Sequence, residues 1–155
     1  MAGPAELSQA DAVEGVLAAL SEVLGHTVAL DASGQCTLAF ADGIEITLAA
    51  APEADGLTAR SEIMRPEAGD ALPLRAALAA NYGRLPPGVS LALDGSSGRL
   101  VLHCFLPLAE ATGTDLIALV ANFVGLVPEL RNELMPDPIR TDDQFDGRRG
   151  TMIRG

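Results

Sequence analysis

The segment at residues 99–108 constrains the fold of this chain more than any other segment, because it is apolar on both faces. Its sequence, RLVLHCFLPL, is typical of a β-strand, in which successive side chains point to opposite faces of a sheet. One face carries Leu100, Leu102, Cys104 and Leu106. The other face carries Val101, His103 and Phe105. A sheet with one solvated face alternates apolar and polar residues, so we expect the second face to be covered, either by a helix of the same chain or by a second copy of it.

The same strand contains two reactive side chains, His103 and Cys104, next to each other. Because neighbouring residues of a strand point to opposite faces, these two side chains do not hydrogen-bond as a nucleophile and its base do. Cys104 is therefore predicted to be a small core residue, and we predict no catalytic residues. A small cysteine-dependent hydrolase or redox enzyme is the alternative, and it requires the fold to bring His26 or Cys36 to the pair.

Metal and cofactor sites are not predicted. The two histidines and two cysteines lie at positions 26, 36, 103 and 104, without the short paired spacings of a zinc site. The glycine-containing segment DGSSG joins two predicted strands instead of opening a helix, and the chain has no lysine for a phosphate-binding loop.

The charge of the chain limits its partners. There are 21 acidic residues and 10 basic residues, all of them arginine, and the net charge is −11. Such a surface repels phosphate backbones and anionic lipids, so nucleic acid and membranes are excluded as partners and a basic or apolar polypeptide is favoured. The longest apolar run, residues 116–128, is also shorter than the roughly 20 residues that a membrane span needs.

The length of the chain, 155 residues, predicts one folded domain. We assign this domain to residues 1–135, which hold the whole acidic excess. Residues 136–155 have no apolar period and a balanced charge, and they are predicted to be a disordered tail. Two cysteines without a paired framework, together with the absence of a signal peptide pattern at the start, indicate the cytoplasm.

Three helices are predicted from apolar residues at three- and four-residue spacing. The first runs from Gln9 to Leu24, with Ser8 as its cap and Gly25 as its stop. The second covers residues 71–82 after Asp70. The last starts at a Thr114 cap and ends near Leu134, with a bend at Pro128. Alternating patterns predict strands in the segments HTVALD (26–31), CTLAFA (36–41), IEITLAA (44–50), LTARSEIM (57–64) and VSLALDGSSGRLVLHCFLPL (89–108), the last of which forms a hairpin.

These elements predict an α+β fold in the order α-β-β-β-(β)-α-β-β-α, a small antiparallel sheet flanked by three helices. Within it, the segment at residues 74–108 resembles class I type III secretion chaperones, the Tir-chaperone family. The shared features are a helix that ends in Ala80–Asn81, a hairpin with Leu-x-Leu-Asp at residues 91–94, a turn at Gly98, and a strand that ends in Leu-Pro-Leu at residues 106–108. Order and spacing agree over about residues 8–134.

The resemblance implies a cytoplasmic homodimer that binds the N-terminal segment of a secreted effector and keeps it competent for export, without catalysis or nucleotide. Carried over by position, it implies a dimer interface at Leu74, Leu78, Tyr82, Val101, His103 and Phe105. It implies effector contacts at Val16, Leu20, Leu38, Phe40, Ile44 and Ile46. The alternatives within the binding class are a regulator of the same fold that binds a folded partner and a structural subunit of the secretion apparatus.

Overall fold

The protein is a five-stranded antiparallel sheet with three helices, in the order α-β-β-β-α-β-β-α. A computed structural model describes residues 8–135, so the predicted tail at 136–155 lies outside the described residues. The elements are α1 (Gln9–Leu24), β1 (Gln35–Ala39), β2 (Glu45–Ala51), β3 (Gly56–Met64), α2 (Leu72–Asn81), β4 (Val89–Asp94), β5 (Arg99–Pro107) and α3 (Gly113–Leu134). The strand order across the sheet is β1-β2-β3-β5-β4, with every neighbouring pair antiparallel. The predicted α+β class is confirmed.

Helix α1 has the predicted bounds. The Ser8 hydroxyl accepts a hydrogen bond from the Asp11 amide, and the Asp11 carboxylate accepts one from the Ser8 amide, so both ends of a capping box are present. At the other end, Gly25 takes a left-handed conformation with a φ of 73°, which ends the helix. The apolar stripe of α1 is buried at Val13, Val16, Leu17 and Leu20.

The first predicted strand, at residues 26–31, is not a strand. The segment has no ladder partner, and the backbone of Val28 is bonded instead to a helix side chain. Its amide donates to the Ser21 hydroxyl oxygen at 2.8 Å, and that hydroxyl lies 3.4 Å from the Val28 carbonyl oxygen. The chain then turns at Asp31, whose carboxylate accepts from the amides of Ser33 and Gln35. The alternating pattern predicts a strand, but a strand also needs a neighbouring strand to pair with, and the described residues place none beside this segment.

The predicted turn at Asp42–Gly43 joins β1 to β2. Both residues have left-handed backbones, with φ of 61° and 67°, and the Phe40 amide donates to the Ile44 carbonyl at 2.8 Å. Two consecutive positive φ angles are the geometry that makes Asp-Gly a frequent hairpin turn.

The sheet has a buried inner face and a solvated outer face. Helices α1 and α3 pack together, and α3 also packs on β3 and β5. The inner row across the sheet consists of Cys36, Leu48, Ala59, Cys104 and Val89. The next row on the outer face consists of Thr37, Thr47, Arg60, His103 and Ser90. His103 and Cys104 therefore lie on opposite faces of β5, as expected. Within residues 8–135, no helix buries both faces of this strand, since its Phe105 side stays partly exposed.

Helix α3 starts at a different cap from the predicted Thr114. The cap is Thr112, whose hydroxyl accepts from the Asp115 amide while Asp115 accepts from the Thr112 amide. The acid three residues on selects this threonine over its neighbour. The helix continues through Pro128 to Leu134, and the bend at Pro128 stays a prediction.

Helix α3 buries one apolar stripe. It consists of Leu116, Leu119, Val120, Phe123, Val127, Leu130 and Leu134. With 22 residues, the helix is longer than the apolar run counted in the sequence, and by length and composition it meets the criterion for a membrane span. A core helix meets the same criterion, and this stripe packs against α1 and the sheet.

Candidate functional site

The four potential metal or catalytic ligands do not converge. Cys36 and Cys104 lie in the same inner row of the sheet, with β2 and β3 between them, so about 14 Å separates their backbones. His103 lies on the outer face, and His26 is exposed just after α1. Within residues 8–135, no three His, Cys, Asp or Glu side chains are placed to hold a metal ion.

Both cysteines are free thiols in apolar surroundings. Burial raises the pKa of Cys104, and burial together with the charge of Asp31 raises the pKa of Cys36. A raised pKa keeps a thiol protonated at neutral pH, whereas catalytic cysteines need the thiolate. The geometry and the protonation state of these side chains support packing, not chemistry.

A large concave surface lies beside α1. This α1 cleft has a volume of about 630 Å³ and lies between one side of α1, the segment 27–30 and the end of β2. It is lined by Gln9, Ala10, Val13, Glu14, Leu17, Ala18, Ser21, Thr27, Val28, Ala29, Leu30, Ala50 and Pro52.

The lining of the α1 cleft suits apolar side chains. Val13, Leu17 and Val28 are buried and form its walls, and the exposed Ala10 and Ala18 leave space because their side chains are short. The Ser21 hydroxyl accepts a hydrogen bond from the Val28 backbone amide. The side-chain amide of Gln9 donates to the Ala51 carbonyl at 3.5 Å. Burial of one leucine-sized side chain in such a site is worth about 1.5–3 kcal/mol.

The six predicted effector contacts do not line the α1 cleft. Five of them are buried in the core: Val16, Leu20, Leu38, Ile44 and Ile46. Phe40 is partly buried against the same core. The cleft-lining residues Ala10, Glu14 and Ala18 were missed, although their four-residue spacing places them on one side of α1. Sequence reasoning passed over them because segment 26–31 was assigned to the sheet.

A second apolar surface lies on α2, and we name Leu72, Leu78 and Tyr82 the α2 surface. These side chains are 74%, 70% and 92% exposed, whereas Ala77 and Ala80 are buried. The helix thus packs its small residues inward and leaves its large apolar residues in solvent. Among the predicted dimer residues, Leu74 is partly buried and Leu78 and Tyr82 are exposed.

Asn81 fixes the position of α2 beside the sheet. Its side-chain amide donates to the Leu91 carbonyl at 2.9 Å, and its side-chain oxygen accepts from the Leu91 amide at 2.8 Å. This pair of bonds replaces the strand partner that the edge strand β4 lacks. The helix therefore lies along the open edge of the sheet, with the α2 surface turned outward.

The outer face of β5 carries the other three predicted dimer residues. Val101 and His103 are partly exposed, and Phe105 is 36% exposed. The Phe105 ring lies over Gly56, where an added Cβ would come within 2.2 Å of it. The strand therefore presents apolar groups on a face that no element within residues 8–135 fully covers.

The sequence pattern of the Tir chaperone protein (CesT) family matches residues 15–131. No curated protein sequence matches the chain.

Solved structures share the fold. A chain of the ExsC–ExsE complex is 19% identical, with 81% of this chain and 95% of that chain covered and a TM-score of 0.69. A chain of the HopA1–SchA chaperone–effector complex is 18% identical, with coverages of 83% and 99% and a TM-score of 0.67. A structure of the Yersinia pestis type III secretion chaperone SycH with a stable fragment of YscM2 is 19% identical, with coverages of 76% and 98% and a TM-score of 0.60.

Proposed function

The chain belongs to the Tir chaperone protein (CesT) family, and we propose that it is a type III secretion chaperone. In this proposal it binds the N-terminal segment of a secreted effector in the bacterial cytoplasm and keeps that segment stable and competent for export. The observation that carries the proposal is the family match over residues 15–131. The fold shared with the SycH and HopA1–SchA structures supports it.

The α1 cleft is the proposed place for apolar side chains of the client. Its walls are apolar, it is open to solvent, and no reactive group lines it. Phe40, which is partly exposed, is proposed to touch the client. The five buried residues of the predicted set, Val16, Leu20, Leu38, Ile44 and Ile46, are proposed to support the client-binding surface from below.

The functional unit is proposed to be a homodimer. Its proposed interface consists of Leu74, Leu78, Tyr82, Val101, His103 and Phe105. The exposure of Leu78 and Tyr82 supports this, because burying each such side chain contributes about 1.5–3 kcal/mol. The partly exposed outer face of β5 supports it as well.

We propose that the chain acts without catalysis. The opposite orientations of His103 and Cys104 support this, as do the raised pKa values of both thiols. In the cysteine-dependent alternative, replacing Cys104 by Ser abolishes an activity, whereas here the change lowers only stability.

The test of the chaperone function is co-expression with a secreted protein encoded next to this chain, followed by purification and limited proteolysis. We expect a stable complex in which an extended N-terminal stretch of the client is protected. Protection of a compact folded surface would favour the regulator, and stable incorporation into a large secretion complex would favour a structural subunit. No complex with any neighbouring secreted protein would contradict the proposal.

The test of the dimer compares two exposed apolar residues. Leu78→Glu places a carboxylate in the proposed interface and is expected to give a monomer by sedimentation analysis. Val23→Glu is the control, because Val23 is 62% exposed on α1 and lies outside that interface. A monomeric parent protein at micromolar concentration, or dimers of equal strength in both variants, would contradict the assignment.

A further inference from the structure

The two halves of the described chain differ sharply in charge. Residues 8–59 contain eight carboxylates and no Arg or Lys, whereas residues 60–135 contain eight carboxylates and six Arg. The first half therefore carries a formal charge of −8 and the second a charge of −2. Opposite charges are interspersed only in the second half, as in the ion pairs of Arg84 with Glu133 and Arg99 with Glu62.

The α1 cleft is built entirely from the half that lacks cations. All of its lining residues lie between Gln9 and Pro52, and Glu14 is the only charged residue among them. Glu14 is exposed and makes no hydrogen bond to another described side chain. Two more exposed carboxylates, Asp11 and Glu53, adjoin the lining residues in the chain.

This arrangement discriminates between possible occupants by charge. A segment that carries Asp or Glu would bring like charges to the rim of the cleft, where they repel. A segment that carries Arg or Lys gains attraction to Glu14, and its long aliphatic stems cover apolar surface while the charge stays in water. An acidic field also speeds the encounter with a cationic partner.

Resting on the proposed function, we infer that the α1 cleft takes a client segment in which apolar side chains are flanked by Arg or Lys and acidic residues are absent. The apolar side chains fill the space between Val13, Leu17 and Val28. The basic side chains lie at the rim beside Glu14. Selectivity of this kind comes from the acidic half of the chain and does not depend on the sequence of one particular effector.

The test uses three labelled amphipathic peptides with the same leucine positions and with Arg, Gln or Glu at the remaining positions. Fluorescence anisotropy measures the binding of each peptide to the full-length protein at one fixed pH of about 8. We expect the affinities to fall in the order Arg, Gln, Glu. The affinity for the Arg peptide is expected to fall about tenfold between low and high salt, because exposed charges are screened.

Three variants locate the effect. Glu14→Arg is expected to weaken binding of the Arg peptide about threefold to tenfold, since it turns an exposed attraction into a repulsion. Glu22→Arg makes the same change in net charge on the same helix, outside the cleft lining, and is expected to have little effect. Ala18→Trp fills the cleft from an exposed position and is expected to weaken binding of all three peptides, with circular dichroism to check the fold.

Equal affinities for the Arg and Glu peptides would overturn the inference. Equal losses in Glu14→Arg and Glu22→Arg would also overturn it, because the effect would then be one of net charge. Unchanged binding in Ala18→Trp would place the peptide outside the cleft.

The chain itself supplies a competing occupant, because residues 147–155 have the sequence GRRGTMIRG. In the full-length protein, replacing Arg148, Arg149 and Arg154 with Gln tests it. The Gln peptide is used here, because it is uncharged at the varied positions and does not respond to the change in net charge. Unchanged binding of the Gln peptide supports a client segment, and tighter binding shows that the chain's own end occupies the cleft and overturns the inference.

The outcomes separate this inference from the proposed function. If a secreted client co-purifies equally with the parent protein and with Glu14→Arg, the chaperone function stands and the charge selectivity fails. If the peptides are discriminated as expected but no secreted protein forms a complex, the cleft chemistry stands and the chaperone function fails.

Discussion

Gly113, the first residue of α3, lies close against α1. A Cβ added at this position would be 2.2 Å from the Cβ of Ala19. Carbon atoms in contact lie about 3.5–4.0 Å apart, so Gly113→Ala forces the two helices apart by about 1.5 Å. Overpacking of this kind costs about 1–3 kcal/mol, and the obstacle cannot rotate away because the Ala19 Cβ is attached directly to the backbone.

Urea denaturation of Gly113→Ala should therefore show a free energy of unfolding lower by about 1–3 kcal/mol. Ala19→Gly alone is expected to cost about 0.5–1 kcal/mol, because glycine weakens a helix interior. The double variant moves the methyl group from α1 to α3 and removes the clash, so its loss should be close to that of Ala19→Gly alone. The resulting coupling energy is about 1–3 kcal/mol. All proteins are compared at one concentration, since self-association changes apparent stability.

Gly125→Ala is the matched control within the same helix. A Cβ at Gly125 meets no atom within 4 Å, so the change should raise the free energy of unfolding by about 0.5–1 kcal/mol. The reasoning is refuted if both glycines respond alike, or if the loss in the double variant equals the sum of the two single losses.

Three further changes test the packing and the electrostatics. Asn81→Ala removes both bonds to Leu91 and is expected to lower the free energy of unfolding by about 1 kcal/mol, measured by urea denaturation; an unchanged value would contradict the edge-capping role. Cys104→Ser buries a polar hydroxyl in an apolar site and should cost about 1–3 kcal/mol without loss of client binding, and Cys36→Ser, at a less buried site, should cost less. Hydrogen bonds from two serine side chains lower the pKa of Asp94 in the folded protein, so its contribution to stability is complete above about pH 4 and is lost as the pH falls further. Asp94→Asn should flatten the acid dependence in thermal unfolding below that pH, and an unchanged curve would assign the dependence to other carboxylates.

Much of the local structure followed from the sequence because local signals decide it. Ser8 sets the start of α1 because its hydroxyl accepts from the Asp11 amide in the first turn, and Gly25 sets the end because it takes a left-handed conformation. The opposite faces of His103 and Cys104 follow from strand geometry, whatever the strand pairs with. The cap of α3, which was wrongly predicted at Thr114, is also decided locally, since Asp115 forms a capping box with Thr112.

Which apolar residues stay at the surface could not be predicted in the same way. Val16, Leu20 and Ile46 have the same apolar pattern whether they face a core or a client, and burial is a property of the whole fold. Packing placed them inside and left the shorter Ala10 and Ala18 beside a cleft.

By itself, the sequence determined the conformation of nearly every segment, the α+β class and the acidic character of the domain, because periodicity, caps and net charge depend only on residues near one another or on their sum. Only the tertiary structure decided which neighbours each segment meets. Segment 26–31 has the alternating pattern of a strand, but without a strand beside it, its residues 27–30 line the α1 cleft. The run at residues 99–108 is apolar on both faces in any fold, yet the helices that the structure describes cover only the Cys104 side, because contacts between distant segments decide which surface is buried.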